Sequence, residues 1–179
     1  MNKIIRILVP IMIGFLFICL LIWLVGESSR VTAAPSLSTA EETILVTTLE
    51  DELNTDGDCS LREAIQAANT NTSVDFCGAG DVLTDTIAFD VIGTITVANQ
   101  LSVTNSGPLI INGAEVITTS GSGMTRVWWV ESGSDLTLQN LAVMDGYVSN
   151  DNGAGLYNNG GKLTVDHCNF VGNHFTISD

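Results

Sequence analysis

The sequence predicts an all-β chain wound into a parallel β-helix, on three observations: a composition of short β-branched runs, turn residues that separate them, and an internal repeat. From Asp85 onward the runs are T-I-A-F, G-T-I-T-V, L-S-V-T, L-I-I-N-G, V-W-W-V, L-T-L, L-A-V-M, L-T-V and C-N-F-V, with Gly, Asn, Asp and Ser between them. Val, Ile and Thr fit a pleated surface, and the residues between the runs are those that turn a chain. Leu136-Thr-Leu-Gln-Asn-Leu-Ala-Val-Met-Asp-Gly aligns with Leu163-Thr-Val-Asp-His-Cys-Asn-Phe-Val-Gly-Asn at an offset of 27, and Leu109-Ile-Ile-Asn-Gly-Ala-Glu-Val falls in the same frame. Leu therefore recurs at 109, 136 and 163, and the next inward position holds Ile111, Leu138 and Val165. A fixed period with matched apolar positions is the mark of stacked coils, because each coil sets the same residue above its predecessor.

Taken in order, the chain opens with Lys3 and Arg6, followed by an apolar stretch from Ile7 to Val25 and a V-T-A step at Val31–Ala33. A basic start, an apolar middle and small residues at a cleavage step make a secretory signal, with cleavage expected after Ala33. The alternative is an uncleaved anchor, since the stretch is nearly long enough to span a bilayer. Residues 1–33 are thus a signal peptide or membrane anchor, membrane contact is expected only through residues 7–25, and the rest is expected outside the cytoplasm. Cleavage leaves three basic residues (Arg62, Arg126 and Lys162) against nineteen acidic ones, a net charge of −16. A surface this acidic repels nucleic acid and anionic lipid.

Residues 34–42 read as a linker and Thr43–Leu49 as a first strand. After the acidic loop Glu50–Asp58, Ser60-Leu-Arg-Glu63 opens the one helix with a capping box, in which the Ser hydroxyl and Glu carboxylate satisfy each other's backbone N–H groups. Leu61, Ala64, Ile65 and Ala68 supply its apolar stripe, and the chain from Asn69 onward ends it.

The segment Cys59–Asn69, C-S-L-R-E-A-I-Q-A-A-N, resembles the signature of the CSLREA domain at the N-terminus of bacterial extracellular β-helix proteins. The D-G-D before Cys59, the F-C-G-A-G around Cys77 and the later G-A-G-L-Y-N-N-G-G-K-L-T-V run agree with it. Similar coils occur in polymorphic outer membrane proteins and related adhesins. The resemblance covers roughly residues 43–173. It implies a right-handed, pectate-lyase-like parallel β-helix with one short N-terminal capping helix, secreted or on the cell surface, and without established catalytic residues. On this reading 43–85 form a CSLREA-type cap and 86–179 the coils. The coils read as truncated, because family members continue through many more.

Cys59 and Cys77 flank the helix, and in an oxidising compartment such a pair is expected to form a disulfide. The rival is a metal site, against which stands the lack of a nearby His. Glu52, Asn54, Asp56, Asp58 and Glu63 follow the alternate-oxygen spacing of a calcium loop, with Gly57 at its turn. The competing reading is a solvated turn, since Glu63 already caps the helix. No other cofactor is expected. Cys168 aligns with Leu141 and is expected to be a small buried hydrophobe. Catalysis finds little support: Arg126, Lys162, His167 and His174 are the only basic groups in the coils, and Asp135, Asp145, Asp151 and Asp166 are scattered. A cleaving enzyme needs carboxylates paired at fixed separation, or Asp on calcium beside a base. In a strand, Trp128 and Trp129 must face opposite sides. The coil pattern of the resembling family has a polar residue at the place of Trp129, so the resemblance implies Trp129 outward and Trp128 inward. An outward Trp129 is a contact for a sugar ring or a cell-surface protein, or packs against a neighbouring loop. The expected function is a non-catalytic adhesion or carbohydrate-contact module. The alternatives are a structural envelope spacer and a β-helix polysaccharide lyase or glycoside hydrolase.

Overall fold

The computed structural model describes residues 42–104 and 107–177. The signal or anchor segment and all of the linker but Glu42 lie outside them. Strands and one helix follow in the order β1 (Glu42–Val46), α1 (Leu61–Thr70), β2 (Asp85–Phe89), β3 (Gly93–Thr96), β4 (Leu101–Val103), β5 (Pro108–Ser120), β6 (Trp128–Val130), β7 (Asp135–Met144), β8 (Tyr147–Ser149), β9 (Leu156–Asn158), β10 (Lys162–Asp166), β11 (Asn169–Val171) and β12 (His174–Thr176). Every pairing between these strands is parallel. The result is a β-solenoid of about three turns with one short helix, the expected fold class.

The largest sheet runs β1-β2-β5-β7-β10, with β3 on β5 and β11 on β7; β4-β6-β9 form a separate face, and β8 and β12 a two-stranded strip. The long strands β5 and β7 each turn a corner. In β7 a single residue does so, Asn140 at φ 55°. Asn tolerates this left-handed backbone because its short polar side chain bonds locally; here its Nδ2 donates to Asn112 Oδ1 at 3.0 Å. His167 holds the equivalent corner in the next coil at φ 50°.

The repeat sets the register where it was read. Leu109, Leu136 and Leu163 are direct partners, as are Ile111, Leu138 and Val165, and Val143 pairs with Phe170. Leu109, Ile111, Leu136 and Leu138 are fully buried, while Thr164 and Asp166 are exposed and Thr137 and Gln139 partly so. The frame fails after Asn112, where residues 113–116 of β5 stand against Asn140 alone in β7. Val116, which the repeat sets level with Val143, is consequently 41% exposed, and Thr119 takes its place inside. Gly113 permits this bulge: a Cβ there would lie 2.8 Å from the Asn140 carbonyl oxygen.

Two further details correct the sequence reading. β1 ends at Val46 rather than Leu49, because Thr47 turns away to bond Cys59 through both its backbone and its hydroxyl. β1 also pairs with β2, so the segment that carries the cap is an insertion within the coil ladder rather than a body ahead of it. In that insertion α1 starts at Ser60 with both capping-box bonds formed, ends on Asn71 in the left-handed region, and buries Leu61, Ala64, Ile65 and Ala68. It covers the edge of β4 by imitating a strand: Asn69 Nδ2 donates to the Ser102 carbonyl at 3.0 Å, and Thr104 N donates to Asn69 Oδ1 at 2.9 Å. A sheet edge left open is a template for unwanted pairing, and the helix removes it. Cys59 and Cys77 are joined, with Cα atoms 4.9 Å apart, and both are buried.

Candidate functional site

The face built from β4, β6 and β9 stacks Ser102, Trp129 and Tyr157 in register. Alternation decides which side each residue takes. Leu101, Trp128 and Val130 point inward and are buried, whereas Ser102, Trp129 and Tyr157 lie on the outer side and are partly exposed. Trp128 is accommodated inside because its Nε1–H donates to Thr119 Oγ1 at 3.1 Å. A buried indole donor needs such a partner.

On the outer side the Trp129 and Tyr157 rings lie 4.7 Å apart at 40°. The Arg126 guanidinium lies 4.8 Å from the Trp129 ring and 5.3 Å from that of Tyr157. Three separations so nearly equal set the guanidinium against both rings of the tilted pair. Arg126 is held there by Gly153 O, Gln100 Oε1, Asp151 Oδ2 and Asn152 O, and is itself 6% exposed. The Arg126 bond, first among its causes, keeps the Asp151 carboxyl below its usual range. Glu131 is also lowered, chiefly by the Asn159 amide that donates to it at 3.0 Å and then by the Trp129 indole. The indole nitrogen makes no hydrogen bond of good geometry, so we read its approach to Glu131 as a long electrostatic contact.

Below Trp129 the face opens into a hollow of about 180 Å³ between α1 and β4, lined by Arg62, Gln66, Asn69, Gln100 and Ser102 among others. Gln100 links the two regions, because its amide meets Ser102 Oγ at 3.5 Å and accepts from Arg126 at 2.8 Å. Arg62 is closed by Asp51, which accepts from it at 2.8 and 2.9 Å, and by the carbonyls of Asn99 and Gln100.

The acidic loop brings only part of the predicted calcium set together. Carboxylate oxygens of Glu52, Asp56 and Asp58 lie within 4.8 Å of one another. The Asn54 amide nitrogen sits between Glu52 and Asp56, at 2.6 and 3.1 Å. Glu63 is withdrawn: it is fully buried, and its two oxygens accept from Ser60 N and Asn54 N. One Asp58 oxygen is buried without a partner. Burial first, and the crowding of Asp56 and other carboxylates after it, push Glu52 and Asp58 above their ordinary values. We assign no ion to this loop.

Two further ion pairs lie apart from these groups. Lys162 meets Asp135 at 2.8 Å, and His167 meets Asp166 at 2.7 Å on an exposed corner. Cys168 is free and only half-buried, packed against the core beside its expected Leu141 position. Sequence reasoning missed Tyr157 as the partner of Trp129 and Arg126 as the group that joins them. The available signal was an aromatic residue 28 positions after Trp129, one step off the 27-residue period. Compared with known proteins, the chain finds no match among family models, curated proteins or solved structures.

Proposed function

We propose that this chain is an exported β-helix module that contacts carbohydrate and does not cleave it. The observation that carries the reading is the in-register Trp129–Tyr157 pair on the outer side of the β4-β6-β9 face. Flat aromatic groups on a rigid parallel ladder offer stacking surface at little entropic cost, since their backbone spacing is already fixed. Polar side chains rim the pair, as a site needs if it is to orient hydroxyl groups. The CSLREA-like segment and the N-terminal apolar stretch support placement outside the cytoplasm, and the Cys59–Cys77 disulfide is in keeping with an oxidising compartment. Among the described residues no helix is long and apolar enough to cross a membrane; residues 7–25 lie outside them. The basic side chains Arg126, Lys162 and His167 each meet a carboxylate of their own, which favours contact over catalysis.

A glycan array probed with the purified chain tests the proposal. Binding is expected, and Trp129→Ala and Tyr157→Ala should each abolish it while both variants remain folded. Release of reducing ends or unsaturated products from any bound polysaccharide would overturn the non-catalytic part. An array with no binding would overturn the contact itself.

A further inference from the structure

We infer that the glycan taken by this face is uncharged, with one sugar ring laid against the Ser102 side of Trp129 and its hydroxyls turned into the hollow between α1 and β4. The inference rests on the carbohydrate-contact reading and adds the chemical class of the ligand.

Shape comes first. Ser102 is the small rung directly below Trp129 in the ladder, so it leaves a step under the indole. The step continues into the hollow, where Gln66, Gln100 and Ser102 stand beside Leu53, Ile65 and Leu101. The other side of the indole is already occupied by Tyr157 and Arg126. A flat ring stacked on the indole from this side would have the Gln66 amide and the Ser102 hydroxyl beside it, since the Asn69 amide is engaged at both ends by β4 and the Gln100 amide by Ser102 and Arg126. Gln66 is exposed, and Gln100 and Ser102 are partly so.

Charge then selects the class. Recognition of a uronate or sulfate calls for an Arg or Lys with donors to spare. The face has two arginines, and both are spent. Arg62 is closed by Asp51 and two backbone carbonyls, and Arg126 by Asp151, Gln100 and two further carbonyls. Glu131 stands on the same face with the Asn159 amide, the Ser132 backbone and the indole beside it, and among the described residues no cation pairs with it. The mature chain as a whole carries nineteen acidic residues against three basic ones. An acidic polysaccharide meets repulsion here, both locally and at long range. Hydroxyl groups bond to amides and carboxylates alike.

Native affinity electrophoresis of the full chain separates the outcomes. Gels would contain xyloglucan, mannan or β-glucan as neutral probes, and polygalacturonate or dextran sulfate as acidic ones, at low and high salt. Retardation is expected in at least one neutral gel and in neither acidic gel, unchanged by salt. It should be lost in Trp129→Ala. Ser102→Tyr, which fills the step and keeps the indole, should lose it as well while retaining wild-type circular dichroism, so the test stands even if the Trp129 variant does not fold. Trp129-dependent retardation by an acidic gel would overturn this inference and leave the contact reading intact. Absence of retardation in every gel, or retardation that both variants preserve, would overturn the two together.

Discussion

At the residue scale, the inward and outward sorting of side chains follows from period 2, and the register makes it testable. Leu138 is fully buried between Ile111 and Val165 in neighbouring coils. Leu138→Ala should cost about 2–5 kcal/mol through lost burial and the cavity left behind. Leu138→Asp should unfold several coils, because an unpaired charge has no place in a dry interior. Thr137→Asp, one residue earlier and facing out, should leave the urea midpoint almost unchanged. Thr119 gives a sharper case. It accepts from the Trp128 indole inside the coil, and Thr119→Val would leave that donor buried without a partner, at about 1–3 kcal/mol by urea unfolding. That Trp128 and Trp129 take opposite sides was legible, since adjacent residues of a strand must diverge; which of them faces out came from the CSLREA-like coil pattern. Thr119 was not. Its inward place depends on the extra residues at 113–116, and a fixed offset of 27 reads straight through them.

At the element scale, legibility tracks how much local chemistry an element carries. Helix α1 was plain in Ser60, Glu63 and the stripe Leu61, Ala64, Ile65 and Ala68, because capping and periodicity are written within a few residues. Strands β8, β9 and β12 are three residues each and were not read as strands. Their pairing comes from the coil beside them, not from their own propensity. The calcium spacing was legible, and it brings Glu52, Asp56 and Asp58 together while both Glu63 oxygens accept from backbone N–H groups. That loop makes a prediction about pH. Glu52 and Asp58 titrate above their ordinary values in the folded chain, so their ionisation is penalised by folding. Their favourable contribution is therefore complete below the unfolded carboxyl pKa and is lost as pH rises through the raised folded values. Glu52→Gln with Asp58→Asn should raise the melting temperature at pH 7, and the gain should vanish near pH 3. Glu131 and Asp151 are lowered and act in the opposite sense, stabilising above the unfolded value and ceasing to do so as pH falls. Glu131→Gln should accordingly depress the melting temperature at pH 7 and not at pH 3. A melting series in which the two sets of variants move together would contradict these assignments.

At the scale of the whole molecule, the proposed export and the disulfide make one joint prediction, in which the chain leaves the cytoplasm and then locks. The solenoid supplies most of its own cohesion by stacking, but the insertion between β1 and β2 is long and rich in turns. Within it the disulfide closes the segment that carries α1 on itself, from Cys59 to Cys77, across a sequence separation of 18. Closing a loop of that size removes unfolded-state freedom worth about 3 kcal/mol in the chain-entropy model. Export and stability should therefore be coupled. Expressed with residues 1–33 in a bacterial host, the protein should be recovered outside the cytoplasm with Ala34 at its N-terminus and no free thiol at Cys59 or Cys77. Expressed without them, it should stay in a reducing compartment with both thiols free. Its urea midpoint should then be lower by the disulfide's contribution and be restored on oxidation. The first losses should fall in α1 and the edge of β4 that Asn69 covers, where hydrogen exchange should quicken before it does in β5 and β7. N-terminal sequencing, thiol counting and exchange read the three parts separately. A cytoplasmic protein with an intact Met1, or a reduced protein as stable as the oxidised one, would break the coupling between compartment and fold.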